Sequence, residues 1–301
     1  LASGGFGDIW RALVHEQKIA IKVMRTFLLT SFCRQSNLTI CIQEFAREAM
    51  IWRQLSHPNV LPFFGLHCAE SMPCLVSPWM ENGNITQFLR IDQPNIDRLS
   101  LILDVALGLE YLHSQNVIHG DLKGPNILVT PSHRACLADF GLSSIIDVNK
   151  EITTAQATRY CAPELLQPEA KSHFGSDIYA FACVSYEIFT GQAPFHQVKD
   201  DAEVIWRVLK GERPPRPKAS YETAALENVW ELLQQCWDGT IENRPTAPQI
   251  AERLRASVRA KTPSSTSDWD DKFIAEFRRS FIPLLSPLVI KIQKWFSRNS
   301  W

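Results

Sequence analysis

The sequence predicts an α+β fold in which strands come first along the chain and helices come later. Short apolar runs bounded by polar or turn residues indicate strands at residues 19–22, 60–66 and 74–77. Farther along, apolar residues recur at helical spacing, and the longest such stretches cover residues 97–114 and 176–190. We therefore expect a small sheet-based part followed by a mainly helical part.

Size and composition are those of an ordinary globular protein. The 301-residue chain is 45% hydrophobic and 21% charged, and its formal net charge of −1 gives no bias toward nucleic acid or an anionic membrane. Its eight cysteines include no Cys-x-x-Cys pair, which favours reduced thiols over a disulfide framework or a zinc site. No signal peptide or run of about 20 apolar residues appears. We expect a cytoplasmic protein that binds no nucleic acid.

The stretch that begins at His119 carries the most chemical information. It reads His-Gly-Asp-Leu-Lys-Gly-Pro-Asn-Ile-Leu-Val, and Asp-Phe-Gly follows at residues 139–141. Short apolar runs broken by Gly and Pro indicate strands joined by a tight loop. Two carboxylates, an amide and an ammonium held in such a loop can bind a metal–phosphate and orient a nucleophile beside it. These groups belong to Asp121, Lys123, Asn126 and Asp139.

Both motifs resemble those of protein kinases. The catalytic loop of that family reads His-Arg-Asp-x-x-x-x-Asn, and its metal loop reads Asp-Phe-Gly. This chain matches both at the right spacing, except that Gly120 stands where Arg is usual. The resemblance covers roughly residues 1–258 and implies a bilobal kinase fold, with a β-rich N-lobe at residues 1–80 and a helical C-lobe at residues 81–258.

The first residues resemble the glycine-rich loop of the family, Gly-x-Gly-x-x-Gly-x-Val. Ala2 stands where the first glycine would be, and a simple flexible terminus is the alternative interpretation. Glycine lets backbone N–H groups approach phosphates closely. The predicted phosphate-binding positions are Gly4, Gly5, Phe6 and Gly7. Because the chain starts with Leu1 rather than Met, we expect a fragment truncated within this loop.

Residues 19–22, Ile-Ala-Ile-Lys, match the strand that carries the phosphate-binding lysine of the family. The resemblance therefore assigns Ala20 and Lys22 to nucleotide binding. Lys22 needs a carboxylate partner, and the predicted helix at residues 43–55 offers Glu48 and, one turn earlier, Glu44. The family pattern favours Glu48, which lies near the apolar face of that helix.

Residues 26–42 fit no regular pattern. Their apolar residues show no clear period, and they make the interval from Lys22 to Glu48 longer than the resemblance leads us to expect. We interpret the stretch as an insertion, or as sequence foreign to the mature domain, and we expect poor order there.

The resemblance also supplies an adenine pocket and a hinge. It places Ser77 at the back of the pocket, where a small side chain would leave the pocket open, and Trp79 and Met80 in the hinge. Leu128 is the remaining residue that the resemblance assigns to ATP binding. The hinge would bind adenine through backbone groups, so the identity of its side chains says little.

The implied activity is Mg²⁺- and ATP-dependent phosphoryl transfer to the hydroxyl of a protein substrate, which asks chiefly for positioning and charge neutralisation. Asp121 would accept or orient the acceptor hydroxyl. Asn126 and Asp139 would hold the Mg²⁺ ions. Lys22 would grip the α- and β-phosphates, and Lys123 would lie beside the γ-phosphate as its charge develops.

Two matches favour serine and threonine as acceptors. Lys123 lies two residues after Asp121, as in serine/threonine kinases, and Thr158 resembles the threonine that bridges toward that Asp and Lys. The hinge, the predicted helix that carries Glu48 and the Ser-Asp-Ile-Tyr sequence at residues 176–179 resemble the tyrosine-kinase-like group of serine/threonine kinases. Tyrosine or dual specificity stays open. A pseudokinase that acts as a scaffold or allosteric partner is the alternative function, favoured by Ala2 and by the irregular stretch at residues 26–42.

Two further contacts follow from the resemblance. Asp177 would brace the backbone of the catalytic loop, and Arg244 would pair with Glu164 of the Ala-Pro-Glu sequence. Asp177 lies at the start of the stretch at residues 176–190, which is apolar all round and is therefore predicted to be a buried central helix.

The last residues lie beyond the resemblance. Residues 259–268 have the composition of a linker, and residues 269–301 form a basic amphipathic tail. Such a tail can lie on a membrane surface or dock on a partner, and folding back on the large lobe is the alternative. Pro283 and Pro287 interrupt any long helix, so membrane contact is the less favoured interpretation.

Overall fold

The computed structural model describes most of the chain up to residue 257. The described residues are 2–3, 7–14, 16–24, 35–69, 72–91, 96–140, 144–145, 155–167, 170–217, 224–257 and 275. They fall into two compact units. The first contains Leu1–Ser56 and Leu61–Trp79, and the second contains His57–Val60 and Met80–Thr266. Apart from residue 275, the predicted linker and tail lie outside the described residues.

A five-stranded antiparallel sheet forms the framework of the first unit. Its buried apolar cluster is formed by Ile19, Phe64 and Val76. The order of the strands across the sheet is β1-β2-β3-β5-β4. The strands are β1 (Ala2–Ser3), β2 (Gly7–Val14), β3 (Gln17–Met24), β4 (Gly65–Ala69) and β5 (Met72–Pro78).

The strand predicted at residues 60–66 is wrong. Val60 forms an isolated bridge with Leu137 in the second unit, and regular pairing begins only at Gly65. Pro62 has no N–H to donate to a ladder. Phe63 and Phe64, which follow it, are both buried. The apolar run therefore packs into the core without the alternation of a strand.

Helix α1 of the first unit spans Gln35–Gln54 and is longer than predicted. Residues 35–42 form its first turns, and residues 26–34 lie outside the described residues. The expectation of poor order at residues 26–42 stays a prediction. No Gly or Pro occurs in the helix, and extending an existing helix needs no new nucleus. The helix can thus continue without a regular apolar stripe. Its predicted face is confirmed, because Phe45, Ala49 and Trp52 are buried.

The second unit is mainly helical, and α4 forms its centre. Every residue of α4 from Ser176 to Phe189 is buried, as the all-round apolar pattern predicts, and the helix ends at Gly191 with φ 73°. Asn84 caps the short helix that follows it, since it forms a capping box with Gln87. The helices are α2 (Ile85–Phe88), α3 (Arg98–Ser114), α4 (Phe174–Thr190), α5 (Asp201–Leu209), α6 (Ala224–Cys236) and α7 (Ala247–Ser257).

Two short ladders hold the loops of the second unit. Strand β6 (Val117–Ile118) pairs with β9 (Ser144–Ile145), and β7 (Ile127–Val129) pairs with β8 (Ala135–Leu137). The loop that contains Asp121 therefore connects β6 to β7, and Asp139 follows β8. Short strands joined by a tight loop are what the sequence predicts here. Among the described residues, no helix has the length and apolar character needed to cross a membrane.

Candidate active site

Three of the predicted catalytic residues form one buried hydrogen-bonded group. Lys123 Nζ donates to Asp121 Oδ2 at 2.7 Å. Asn126 Nδ2 donates to the backbone oxygen of Asp121 at 2.8 Å and to its Oδ2 at 3.0 Å. Each of the three residues is only 7% exposed. The 3₁₀ turn Gly124–Asn126 brings the asparagine back toward the aspartate, so the five-residue spacing of the motif produces the contact.

Asp139 is tied to this loop through backbone groups. The N–H of Ala138 donates to the carbonyl of Asn126 at 2.9 Å, and the Ala138 carbonyl lies 3.1 Å from Nε2 of the fully buried His119. His119 Nδ1 accepts from the backbone N–H of Asp121 at 3.3 Å, which leaves Nε2 as the donor to Ala138. The two motifs are thus held together by the chain on either side of each acid.

The electrostatics of the group follow from its burial. Burial raises the pKa of Asp121 above its usual value, the charge and hydrogen bond of Lys123 oppose this rise, and the neighbouring Asp139 carboxylate adds to it. A bound cation would relieve the repulsion between the two carboxylates.

The donor set fits a hard cation such as Mg²⁺. Because Asn126 donates through Nδ2, its Oδ1 is left as an oxygen ligand, and Asp139 supplies a carboxylate. Among the described residues, no cluster of three or more His, Cys, Asp or Glu side chains could hold a metal. Mg²⁺ commonly uses one or two carboxylates together with substrate phosphates, so a small protein ligand set suits it.

Asp177, at the start of α4, braces the catalytic loop as predicted. Its carboxylate accepts from the backbone N–H groups of His119 at 2.8 Å and Gly120 at 2.9 Å. Burial alone would raise the pKa of Asp177, but the hydrogen bond and charge of His113, with further help from His119 and Gly120, hold it below its usual value. Sequence reasoning missed His113, whose Nε2 lies 3.0 Å from Asp177 Oδ2. A histidine in the last turn of α3 was its only local signal.

The first unit contains the predicted lysine–glutamate pair. Lys22 Nζ donates to Glu48 Oε1 at 2.7 Å, and the two side chains are 12% and 1% exposed. The side chain of the alternative partner, Glu44, lies outside the described part. Ala20 lies opposite Ser77 across β3 and β5, two positions from Lys22. Since side chains alternate along a strand, Ala20, Lys22 and Ser77 share one face of the sheet.

The remaining predicted nucleotide-binding residues are distributed between the two units. Trp79 N donates to Lys18 O at 3.1 Å, and the Arg11 guanidinium lies 5.7 Å from the centroid of the Trp79 ring. The first unit contains Gly7, Ala20, Lys22, Glu48, Ser77 and Trp79. The second contains Met80, Asp121, Lys123, Asn126, Leu128 and Asp139. Gly4, Gly5 and Phe6 lie outside the described residues.

The predicted bridge from Thr158 is not observed. Within the described part of the second unit, the Thr158 hydroxyl forms no hydrogen bond with Asp121 or Lys123. The predicted pair of Glu164 and Arg244 is confirmed: Arg244 donates from both terminal nitrogens to the two carboxylate oxygens, at 2.7 and 2.8 Å. This bidentate contact anchors the Ala-Pro-Glu sequence.

Sequence reasoning also missed the groups that hold β8, the strand that leads to Asp139. Asp104 of α3 is fully buried, accepts from Arg134 Nε at 2.7 Å and accepts from the N–H of Ala135 at 3.0 Å. Asn59 Nδ2 donates to Ala135 O at 2.9 Å. An acidic residue inside an apolar helical stripe was the available signal for Asp104.

An aspartate–lysine–asparagine group beside a second aspartate, together with a lysine on an antiparallel sheet paired with a glutamate on a helix, defines the class of protein kinase domains. Residues 1–254 match the family model described as protein tyrosine and serine/threonine kinase, and the chain belongs to this family.

The chain is similar to kinases of plants and of a slime mould. It is 30% identical over 263 residues to the serine/threonine-protein kinase STY17 of Arabidopsis thaliana. The aligned residues cover 86% of this chain and 44% of that protein. It is 30% identical over 258 residues to the serine/threonine/tyrosine-protein kinase HT1 of Arabidopsis thaliana, covering 84% and 64%. It is 31% identical over 265 residues to the dual specificity protein kinase zakA of Dictyostelium discoideum, covering 81% and 32%. The chain therefore spans less than two thirds of each of these relatives.

Proposed function

We propose that the chain is an ATP-dependent protein kinase that transfers the γ-phosphoryl group to serine and threonine hydroxyls of a protein substrate. The observation that carries this proposal is the buried group formed by Asp121, Lys123 and Asn126. Membership of the kinase family and similarity to serine/threonine-protein kinases support the type of reaction. The position of Lys123, two residues after Asp121 as in serine/threonine kinases, supports serine and threonine as the acceptors.

The second unit supplies the groups that act on the transferred phosphoryl and its acceptor. Asp121 orients the acceptor hydroxyl and accepts its proton, and the raised pKa of this buried carboxyl increases its affinity for that proton. Lys123, which donates to the same carboxylate, neutralises charge that develops on the γ-phosphate. Asn126 and Asp139 hold Mg²⁺, which when bound offsets the charge of the phosphates.

The first unit supplies groups for the rest of the nucleotide. Lys22 grips the α- and β-phosphates, and its contact with the buried Glu48 keeps the ammonium in one orientation. Gly4, Gly5, Phe6 and Gly7 are assigned to phosphate binding by their resemblance to the glycine-rich loop. The residues assigned to adenine binding are Ala20, Ser77, Trp79, Met80 and Leu128.

A cytoplasmic location and a protein rather than nucleic-acid partner are part of the proposal. Five buried cysteines form no disulfide, as suits a reducing compartment: Cys74, Cys136, Cys161, Cys183 and Cys236. The net charge of −1 offers no electrostatic attraction for a polyanion.

The test of acceptor type uses Mg²⁺, γ-labelled ATP and a peptide library that presents serine, threonine and tyrosine in equal amounts. We expect label on phosphoserine and phosphothreonine. Equal labelling of tyrosine would overturn the assignment of acceptor type while leaving phosphoryl transfer intact. Absence of label on all three residues, with labelled ATP intact, would overturn the proposed activity itself.

A further inference from the structure

Glu187 of α4 is a buried carboxyl that the proposed chemistry does not use. It is 2% exposed and accepts hydrogen bonds from two hydroxyls on separate elements. Thr86 Oγ1, in α2, donates to its Oε1 at 2.7 Å, and Tyr160 Oη donates to its Oε2 at 2.7 Å. Tyr160 is the last residue of the 3₁₀ segment Ala155–Tyr160 and comes directly before Cys161, which leads into the Ala-Pro-Glu sequence.

The catalytic loop lies against the same carboxyl at Gly124. A Cβ added at this position would overlap Glu187 Oε2 and would lie 2.7 Å from Glu187 Cδ and 2.5 Å from Thr86 Oγ1. Real Cβ atoms essentially never approach other heavy atoms closer than 3.0 Å. Hydrogen bonds hold both Glu187 and Thr86 in place, so neither side chain can move aside without breaking a bond. The position therefore requires glycine for lack of space.

The pKa values of the cluster are consistent with mutual contact. Burial raises the pKa of Glu187, and the hydrogen bonds from Thr86 and Tyr160 oppose the rise. Burial also raises the pKa of Tyr160 well above its usual value, the Glu187 carboxyl adds to the rise, and the nearby backbone of Gly124 opposes it. The phenol of Tyr160 thus donates to the carboxyl and lies close to the catalytic loop.

We infer that Glu187 is a positioning residue that fixes the catalytic loop at Gly124 relative to the segment ending at Tyr160. The inference rests on the proposed function, because Lys123 directly precedes Gly124, Asn126 follows two positions later, and both must be placed accurately for phosphoryl transfer. A displacement of about 1 Å in catalytic geometry can cost on the order of 10²-fold in rate. Loss of the cluster should therefore lower kcat much more than it changes KM for ATP, because the groups assigned to the adenine and to the α- and β-phosphates are not part of this loop.

The steric part of the inference is tested with Gly124→Ala and the matched control Gly239→Ala, since an added Cβ at Gly239 would meet no atom within 4 Å. We expect Gly124→Ala to lower kcat by about tenfold or more, with KM for ATP changed less than about twofold. Gly239→Ala should behave as the wild type. Equal kcat for Gly124→Ala and wild type would overturn the inference.

The hydrogen-bonded part is tested with Tyr160→Phe and Glu187→Gln, singly and together, which keeps the inference testable if Gly124→Ala fails to fold. Because both changes act through one contact, we expect the double variant to lose about as much kcat as the more damaged single variant. Fully multiplicative losses would contradict the inference.

Amide hydrogen exchange separates this inference from the proposed function, since it needs no activity. We expect Glu187→Gln to speed exchange at residues 121–126 and to leave α7 unchanged. Faster exchange in a protein whose wild type transfers no phosphate would support the positioning contact and refute the proposed function. An active wild type in which Glu187→Gln changes neither kcat nor exchange would refute the inference alone.

Discussion

Asp177 accepts a hydrogen bond from the backbone N–H of Gly120 at 2.9 Å, and Gly120 adopts a φ of 77°. Since the bond goes to the backbone, this brace on the catalytic loop does not depend on the side chain at position 120. Glycine supplies the left-handed conformation without a steric penalty. It also removes the arginine that kinases usually carry here. That arginine binds a phosphate on the activation segment, which is the stretch between Asp-Phe-Gly and Ala-Pro-Glu.

The first prediction follows from that missing cation. Phosphatase treatment of the purified protein should leave its turnover rate unchanged, because no arginine at position 120 is available to order a phosphorylated activation segment. The measurement is the rate of γ-phosphate transfer before and after treatment, with phosphate removal verified by mass spectrometry. A loss of tenfold or more would contradict the prediction.

Replacing Asp177 with Asn should destabilise the protein. The change weakens charge-assisted hydrogen bonds to two backbone N–H groups and to His113, and such bonds contribute about 1.5–3 kcal/mol each. We expect the free energy of unfolding, measured in urea, to fall by at least about 2 kcal/mol. Glu252→Gln, at an exposed position of α7, is the control and should change it by less than about 0.5 kcal/mol. Equal changes in the free energy of unfolding for the two substitutions would contradict the role of Asp177 in holding the catalytic loop.

Replacing Lys22 with Met should impair the use of ATP. Removing a cation aimed at developing phosphate charge typically costs about 10²–10³-fold in rate. We expect a loss of that order in kcat/KM for ATP. Lys18→Met is the matched control on the same strand, at an exposed position, and should stay within about twofold of wild type because charge loss at an exposed site has little effect. Comparable losses in both variants would contradict the assigned role of Lys22.

The pair of Glu164 and Arg244 should stabilise the fold in a pH-dependent way. Burial alone would raise the pKa of Glu164, but the hydrogen bonds and charge of Arg244 outweigh it, so the pKa lies below its usual value. A depressed carboxyl pKa contributes stability that is complete above the unfolded value, about 4.3, and is lost as the pH falls through the folded value.

The measurement compares the free energy of unfolding of wild type and Glu164→Gln across a pH series. At pH 7 we expect a difference of roughly 3 kcal/mol, the lower end for breaking a buried ion pair, because the amide oxygen of Gln still accepts from Arg244. The difference should be constant down to about pH 5 and shrink below about 4.3. If the difference in the free energy of unfolding grew as the pH fell, it would contradict a lowered pKa of Glu164 in the folded protein.

The sequence predicted an element correctly where the pattern of apolar residues within that element alone determines its structure. The all-round apolar character of α4 predicted its burial. The apolar run after Val60 failed as a strand because its residues pack into the core on both sides of Pro62, which strand periodicity does not reveal. The first turns of α1 were missed because a helix can extend beyond its amphipathic region.

The site was predictable where family motifs fix the spacing, as for Asp121 and Asn126. The groups that position the site, such as Glu187 and Asp104, could not be assigned that role from the sequence. Glu187 stands out as a charged residue in an apolar helix, but its partner Thr86 is 101 positions away in sequence. Asp104 likewise pairs with Arg134, 30 positions away. A single sequence reveals that such groups need partners, but it does not identify them.

The most direct test of the central claim compares γ-phosphate transfer by the wild type and by Asp121→Asn, with Mg²⁺, saturating ATP and a protein acceptor. Asparagine keeps the size of the side chain and removes the carboxylate that Lys123 and Asn126 contact. We expect transfer by the wild type and a rate about 10²–10⁴-fold lower in the variant. The same background rate in both proteins would contradict the account and indicate a pseudokinase.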